Sequence, residues 1–330
     1  MFKLGRFSSG GSDRFTGIVI DDVVVNLSDA ARAAPQVRFR GAELNGSQTI
    51  EDLLENWDDA FAALTETANA LRARPVTEGV SAADRGSLRT LAPLTRPSKI
   101  LCAAANFRGH VNEMRNSGYG GEIDRKKDFM GEKSRARPYL FLKAPSSICG
   151  PFDDVELPGP DDQVDWEIEL AMVIGRSARN VPVERARDYI AGYMVSNDIS
   201  CRNMLWREDR QTIRSDWLAS KSHDAFCPIG PYFVPRDFIA DHNNLHLSLK
   251  LNGESMQNGN TSEMIFSPDE QIEYTSKMMT LLPGDIFLTG TIAGVGQGLG
   301  RFLKPGDLIE AEIEGLGTQK NRVSLRTSAE

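Results

Sequence analysis

VDWEIELAMVIG, residues 164–175, decides how this chain is read. Acidic and apolar residues alternate from Val164 to Leu170, and an almost wholly apolar run follows. In a strand, successive side chains point to opposite faces. Asp165, Glu167 and Glu169 then share one face, and Trp166, Ile168 and Leu170 share the other. Neighbouring carboxylates raise one another's pKa and destabilise the fold unless something neutralises them. One reading is an edge strand with its acidic face in water. The run Leu170–Gly175, apolar on both faces, instead takes the strand into a core. Carboxylates that enter a core together suggest a divalent cation held by oxygen ligands: Mg²⁺, Mn²⁺ or Ca²⁺ rather than zinc.

Around this strand lies a chain rich in strands and turns. YLFLKA, FCPIGPYFV, LHLSLKLNG, DIFLTG and LIEAEIEGLG read as strands, as does KILCAAANF before them. Helices are expected at 182–194 and 268–279, each led by Pro. Without regular β-α alternation, a doubly wound sheet is not expected. The N-terminal part differs. FTGIVIDDVVVNL (15–27) reads as a hairpin around Asp21 and Asp22. Apolar residues from Ile50 to Leu71 recur at helical spacing and predict one amphipathic helix from Thr49 to about Ala73. Residues 72–99 lose that period, which sets a boundary: an N-terminal α+β subdomain (1–95) and a main domain (96–330). Residues 118–138 are glycine-containing and highly charged, a solvated insertion or part of a candidate lid at 106–138.

The chain has 330 residues and a net charge of −8, enough length for a large core and no global attraction for nucleic acid. Its four cysteines (102, 149, 201, 227) form no metal-site or disulfide pattern and read as reduced thiols. No signal peptide and no membrane span is recognisable, so a cytoplasmic protein is expected.

Several further segments carry candidate chemistry. Asp198, in SNDISCRN, ends the apolar run YIAGYMV; it is either a further metal ligand or part of a turn-forming Asn-Asp pair. His110 and Glu113, in NFRGHVNEM, are three apart and face each other on one helical turn. A Glu that orients a His makes a general base near neutral pH, although a surface His with a nearby acid has the same spacing. Lys221, in LASKSHDAF, is either a solvated lysine or an oxyanion partner beside a metal. Thr289-Gly290-Thr291 ends an apolar strand where glycine lets backbone amides approach a ligand, or simply turns the chain. The glycines of GVGQGLGRF open no helix and make a weak phosphate loop.

Taken in order, NFRGHVNEM, VDWEIELAMVIG, GYMVSNDISCRN, ASKSHDAFCPIGP, NGESMQNGNTSEMIF, LLPGDIFLTGTIAGVG and LKPGDLIEAEIEGLGTQKNRV resemble the fumarylacetoacetate hydrolase family, in its shorter acylpyruvase-like branch. The resemblance implies a mainly β (α+β) fold, a twisted β-sandwich or roll with short helices, forming a homodimer. It implies Glu167, Glu169 and Asp198 as metal ligands, Mg²⁺ being the family's usual ion. His110, Glu113 and Lys221 become catalytic, and Arg202, Gly290 and Thr291 substrate-binding. The implied reaction is hydrolysis of a C–C bond in a 1,3-diketo, acylpyruvate-type acid to pyruvate and a carboxylic acid. Oxaloacetate decarboxylation, 2-oxo-enoate hydration and isomerisation use the same metal-enolate chemistry, and a non-catalytic binding protein is the alternative of another class. Ala103, Leu205 and Ile292 depart from the residues usual in relatives, Asp, Gln and Pro, and leave the substrate open.

Overall fold

The strand Ile168–Ile174 is buried at every position, third in a six-stranded sheet. The structure is a computed structural model that describes residues 1–10, 13–39, 44, 47–73, 82–117, 136–210 and 212–326. Across the sheet the strands run Val234–Pro235, Ile190–Asn197, Ile168–Ile174, Ile286–Thr291, Ile100–Ala104 and Tyr139–Lys143. All pairs are antiparallel except Ile286–Thr291 with Ile100–Ala104.

Both faces of this sheet are covered, which is why its central strand is a nearly unbroken apolar run. Leu170, Met172 and Ile174 join one apolar layer, Ala171 and Val173 the other. The first layer is closed by a five-stranded sheet, with Leu247, Leu249 and Leu251 of His246–Leu251 and Ile309, Ala311 and Ile313 of Leu308–Ile313 facing inward. The second layer is closed by the N-terminal part. There Phe2, Leu4, Ile18, Trp57 and Leu64 pack on the sheet from another five-stranded sheet and its helices. Leu4 and Phe233 exchange backbone hydrogen bonds (2.9 and 2.8 Å), tying the N-terminal strand Lys3–Ser8 to the rest. The fold is mainly β within an α+β class, as the resemblance implies.

The hairpin at 15–27 forms, with Asp21 at the turn in the left-handed region (φ 53°). Three local expectations need correction. The helix from Thr49 to Ala73 is two helices, Ile50–Leu54 and Trp57–Ala73; the first is capped reciprocally by Thr49 and Asp52. The helix expected at 182–194 is a short 3₁₀ segment, Val183–Tyr189, followed by the buried strand Ile190–Asn197. Pro and the charge pattern specified the first turns, but a central place in the sheet decided the apolar residues after them. GVGQGLGRF does open a helix, the single turn Gly296–Leu299. Asp165, on the same acidic face as Glu167 and Glu169, is wholly buried. Residues 118–135 of the candidate lid, with Arg125, Lys126, Lys127, Lys133 and Arg135, lie outside the described residues.

Candidate active site

The candidate ligands gather at one end of the six-stranded sheet. Glu169 is in the strand Ile168–Ile174, opposite Ser196 on one side and Thr291 on the other. Glu167 lies in the gap just before that strand, after the two-residue strand Val164–Asp165. Asp198 follows the strand Ile190–Asn197, and backbone pairing brings it to Glu167. The Asp198 N–H donates to the Glu167 carbonyl (2.8 Å), and the Glu167 N–H donates to Asn197 Oδ1 (2.8 Å). The three carboxylates each offer an oxygen within 4.8 Å of the others, and all three are buried.

Three cations reach this cluster. Lys221 ends the short helix Trp217–Lys221, capped by Asp216, and its ammonium donates to Glu167 Oε2 (2.7 Å) and Asp198 Oδ2 (2.6 Å). Burial opposes its charge, but Asp198 and Glu167 outweigh burial and hold its pKa above that of a free lysine. The two carboxylates thus favour the charged form of Lys221. Arg202, offered as a substrate-binding residue, donates to Asp165 Oδ2 (2.8 Å) and Glu167 Oε1 (2.5 Å). The third cation, Lys143, is missing from the sequence-based set. It ends the edge strand Tyr139–Lys143, its side chain is wholly buried, and its ammonium donates to Asp198 Oδ1 (2.7 Å) and the Ile199 carbonyl (2.9 Å). The sheet curls until its edge strand meets the end of a strand four places away in the order, which makes the architecture a roll. The only signal in the sequence was a lysine closing an apolar strand before Pro145.

The carboxylates are not equivalent. Burial penalises the charge of Glu167, but Lys221, Arg202 and His110 together hold its pKa well below the ordinary value. Glu169 has no ion-pair partner among the described residues; burial, Asp198 and Glu167 push it well above the ordinary value, and the charge of Lys221 and the Gly290 N–H (2.6 Å) offset this only in part. This donor set fits a hard divalent cation: oxygen atoms only, close together, one of them in no ion pair among the described residues.

His110 and Glu113 lie on one face of the helix Arg108–Asn116, with Nδ1 and Oε2 3.5 Å apart. His110 Nδ1 is buried and makes no hydrogen bond among the described residues, so Glu113 is the polar group placed to orient it. Glu113 also accepts from the Gly294 N–H (2.9 and 3.1 Å). Gly290 has φ +100°, and a Cβ there would lie 2.8 Å from Asn106 Cβ, so only glycine fits. Thr291 Oγ1 donates to the Ile168 carbonyl (2.7 Å) and accepts from Gln257 Nε2 (2.9 Å). Asn106 and Gln257, both missed in the sequence, brace this strand end: Asn106 Nδ2 donates to the Thr289 carbonyl (2.7 Å).

Residues 99–324 match the family described as fumarylacetoacetate (FAA) hydrolase C-terminal. A mitochondrial oxaloacetate tautomerase of Rattus norvegicus is 37% identical over 265 residues, 80% of this chain and 78% of the relative. A Homo sapiens protein of the same name is 38% identical over 72% of this chain and 70% of its own. Among solved structures, maleylpyruvate hydrolase from Sphingobium sp. SYK-6, in complex with manganese(II) and pyruvate, superposes with a TM-score of 0.71 at 25% identity, covering 98% of this chain and 100% of that one. The mitochondrial rat and human relatives do not fit a simple cytoplasmic placement. Among the described residues no helix is long and apolar enough to cross a membrane.

Proposed function

This chain belongs to the fumarylacetoacetate hydrolase family, and from that premise we propose that it is a divalent-metal enzyme that interconverts the keto and enol forms of a small 2-oxo diacid of the oxaloacetate type. The observation that carries this reading is one juxtaposition. A buried carboxylate triad suited to a cation lies within electrostatic reach of the buried His110, which is paired with Glu113.

Glu167, Glu169 and Asp198 would hold Mg²⁺ or Mn²⁺. When bound, the ion supplies Lewis acidity to the 2-oxo group and its carboxylate, which acidifies the neighbouring C–H. His110 does the proton work. Its Nδ1 faces Glu113, so Nε2 is the nitrogen left to take a proton from the carbon beside the 2-oxo group. The ammonium of Lys221 stays protonated and stabilises charge that develops on oxygen. The net reaction moves one proton from carbon to oxygen and consumes no water.

A second reading, hydrolysis of an acylpyruvate, is favoured by the same His110–Glu113 pair acting on a water molecule, and by the likeness to maleylpyruvate hydrolase. A homodimer belongs to this reading as well; exposed Trp206, Ile213 and Leu218 supply apolar surface for one.

The test presents enolic oxaloacetate, acylpyruvates and fumarylpyruvate to the protein with Mn²⁺ and then with chelator. Loss of enol absorbance is followed against an Mn²⁺-only blank, and pyruvate release in parallel. Accelerated enol loss that chelator abolishes is expected. Pyruvate release from an acylpyruvate with no effect on the enol would overturn the tautomerase in favour of the hydrolase.

A further inference from the structure

Asp165 is the acid of the opening motif that no part of the proposed reaction uses, and it is the most completely bonded side chain near the site. Its Oδ1 accepts from the Trp166 N–H (2.7 Å) and the Gly296 N–H (2.6 Å). Its Oδ2 accepts from the Gln297 N–H (2.9 Å) and from Arg202 Nε (2.8 Å). Arg202 continues to Glu167 Oε1 (2.5 Å), one of the carboxylates of the triad. The Gly296 and Gln297 amides belong to the glycine-rich segment that the sequence offered only as a weak phosphate loop, so the anion held there is the protein's own carboxylate.

The other end of that segment holds Glu113. The Gly294 N–H donates to both Glu113 oxygens (2.9 and 3.1 Å) from a backbone at φ +101°. Glu113 also lies so close to Gly298 that a Cβ there would overlap its carboxyl group. A Cβ on Gly296 would overlap the Arg301 carbonyl oxygen and lie 2.7 Å from Asp165 Oδ1. The turn from Gly294 to Gly298 is thus clamped between two carboxylates, Asp165 on one side and Glu113 on the other. Glycine is needed where each presses against it.

We propose that Asp165 is a positioning residue that sets both halves of the site: through Arg202 it fixes Glu167, and through the Gly294–Gly298 turn it fixes Glu113 against His110. The inference rests on the functional reading above for the meaning of the two halves, but its geometry stands without it. A buried acceptor that joins a ligand to a proton-transfer group keeps their spacing constant, and small misplacements in such sites cost large factors in rate.

The experiment compares Asp165→Asn with Gly298→Ala. The first turns one of the two acceptor oxygens into a donor facing Arg202 and the Gln297 N–H. The second pushes on the Glu113 carboxyl group and removes no charge. Mn²⁺ affinity is read by calorimetry, and the ring ¹⁵N shifts of His110 by NMR, with His242 as an internal control because it is buried against Tyr193 and Asp269. Turnover is read separately. Asp165→Asn should weaken Mn²⁺ binding by at least about tenfold and move the His110 ring shifts toward those of Glu113→Gln. Gly298→Ala should move the His110 shifts alike and leave Mn²⁺ affinity unchanged. Both should lower kcat by roughly a hundredfold with KM little altered. Unmoved His110 shifts in a folded Asp165→Asn protein would overturn the proposal, as would equal Mn²⁺ loss in both variants. If no substrate is turned over, the binding and NMR arms still decide it, so failure of the functional reading and failure of this inference are told apart.

Discussion

Replacing Lys143 by Met tests whether this buried lysine balances the carboxylates. The substitution removes a wholly buried ammonium that donates to Asp198 Oδ1 at 2.7 Å and to the Ile199 carbonyl at 2.9 Å. A hydrogen bond to a charged group contributes about 1.5–3 kcal/mol, and an orphaned buried carbonyl costs about 1 kcal/mol more. Met fills much of the same volume, so the cavity term is small. Asp198 keeps Lys221 at 2.6 Å, which places the loss toward the low end of the ~3–5 kcal/mol for a buried charge stripped of its partner. The expected cost is about 3 kcal/mol in urea unfolding with chelator present, with the m-value unchanged. Cation binding should move the other way. With one positive charge gone from its border, the triad should hold Mn²⁺ about tenfold tighter in calorimetry, roughly 1.4 kcal/mol. Saturating Mn²⁺ should therefore recover part of the lost stability. A variant within about 0.5 kcal/mol of the parent in chelator, the range of a neutral surface change, would refute the countercharge role. Weaker Mn²⁺ binding would refute it too, and would make Lys143 a support for the geometry of Asp198.

Three other perturbations have determinate signs. His110→Gln should lower turnover by roughly 10²–10⁴-fold while Mn²⁺ affinity stays level, because the role proposed for the histidine is proton transfer rather than ligation; kinetics with calorimetry check it. Burial, Asp198 and Glu167 hold Glu169 above its ordinary value of 4.5, so between that value and its folded pKa the folded chain keeps a proton that the unfolded chain has lost. Its contribution makes metal-free stability fall as pH rises through that window, and saturating Mn²⁺ should remove the slope in pH-dependent urea titrations. Glu167, depressed, acts oppositely: its contribution is present above 4.5 and lost as pH falls through its folded pKa. Gly290→Ala should destabilise by about 2 kcal/mol in thermal melts, because φ is +100° and the new Cβ meets Asn106.

The legible parts of this site are those whose partners are close in sequence or imposed by a period. The alternation of Val164–Leu170 put Glu167 and Glu169 together, and the spacing of His110 and Glu113 put that pair on one helical turn. Asp165 was legible as an acid but not in its role, since its partners are Arg202, Gly296 and Gln297, more than thirty residues away. Lys143 was hidden because a lysine ending an edge strand reads as solvated; only the curl of the sheet brings it to Asp198. The misread helix at 182–194 has the same cause. Ile190, Ala191 and Tyr193 take the strand conformation because each meets an apolar layer on its own face of the sheet, and tertiary packing overrides the amphipathic signal before them.

The charges explain why such a cluster is stable enough to build and still incomplete. Asp165, Glu167, Glu169 and Asp198 are buried together with Lys143, Lys221 and Arg202, four acids against three bases. The bases are not shared evenly. Asp165 and Glu167 meet Arg202, Glu167 and Asp198 share Lys221, and Asp198 also meets Lys143, so the unbalanced charge falls on Glu169. A fully balanced cluster would gain less from a cation. A cluster with two or three negative charges in excess would strain the metal-free fold, since each unpaired buried charge costs several kcal/mol. With one in excess, the penalty in the free protein is limited, and it becomes favourable binding energy when a cation arrives. Proton uptake by Glu169 is the alternative relief, which is why its raised pKa and the fit of the triad to a metal are two expressions of the same imbalance.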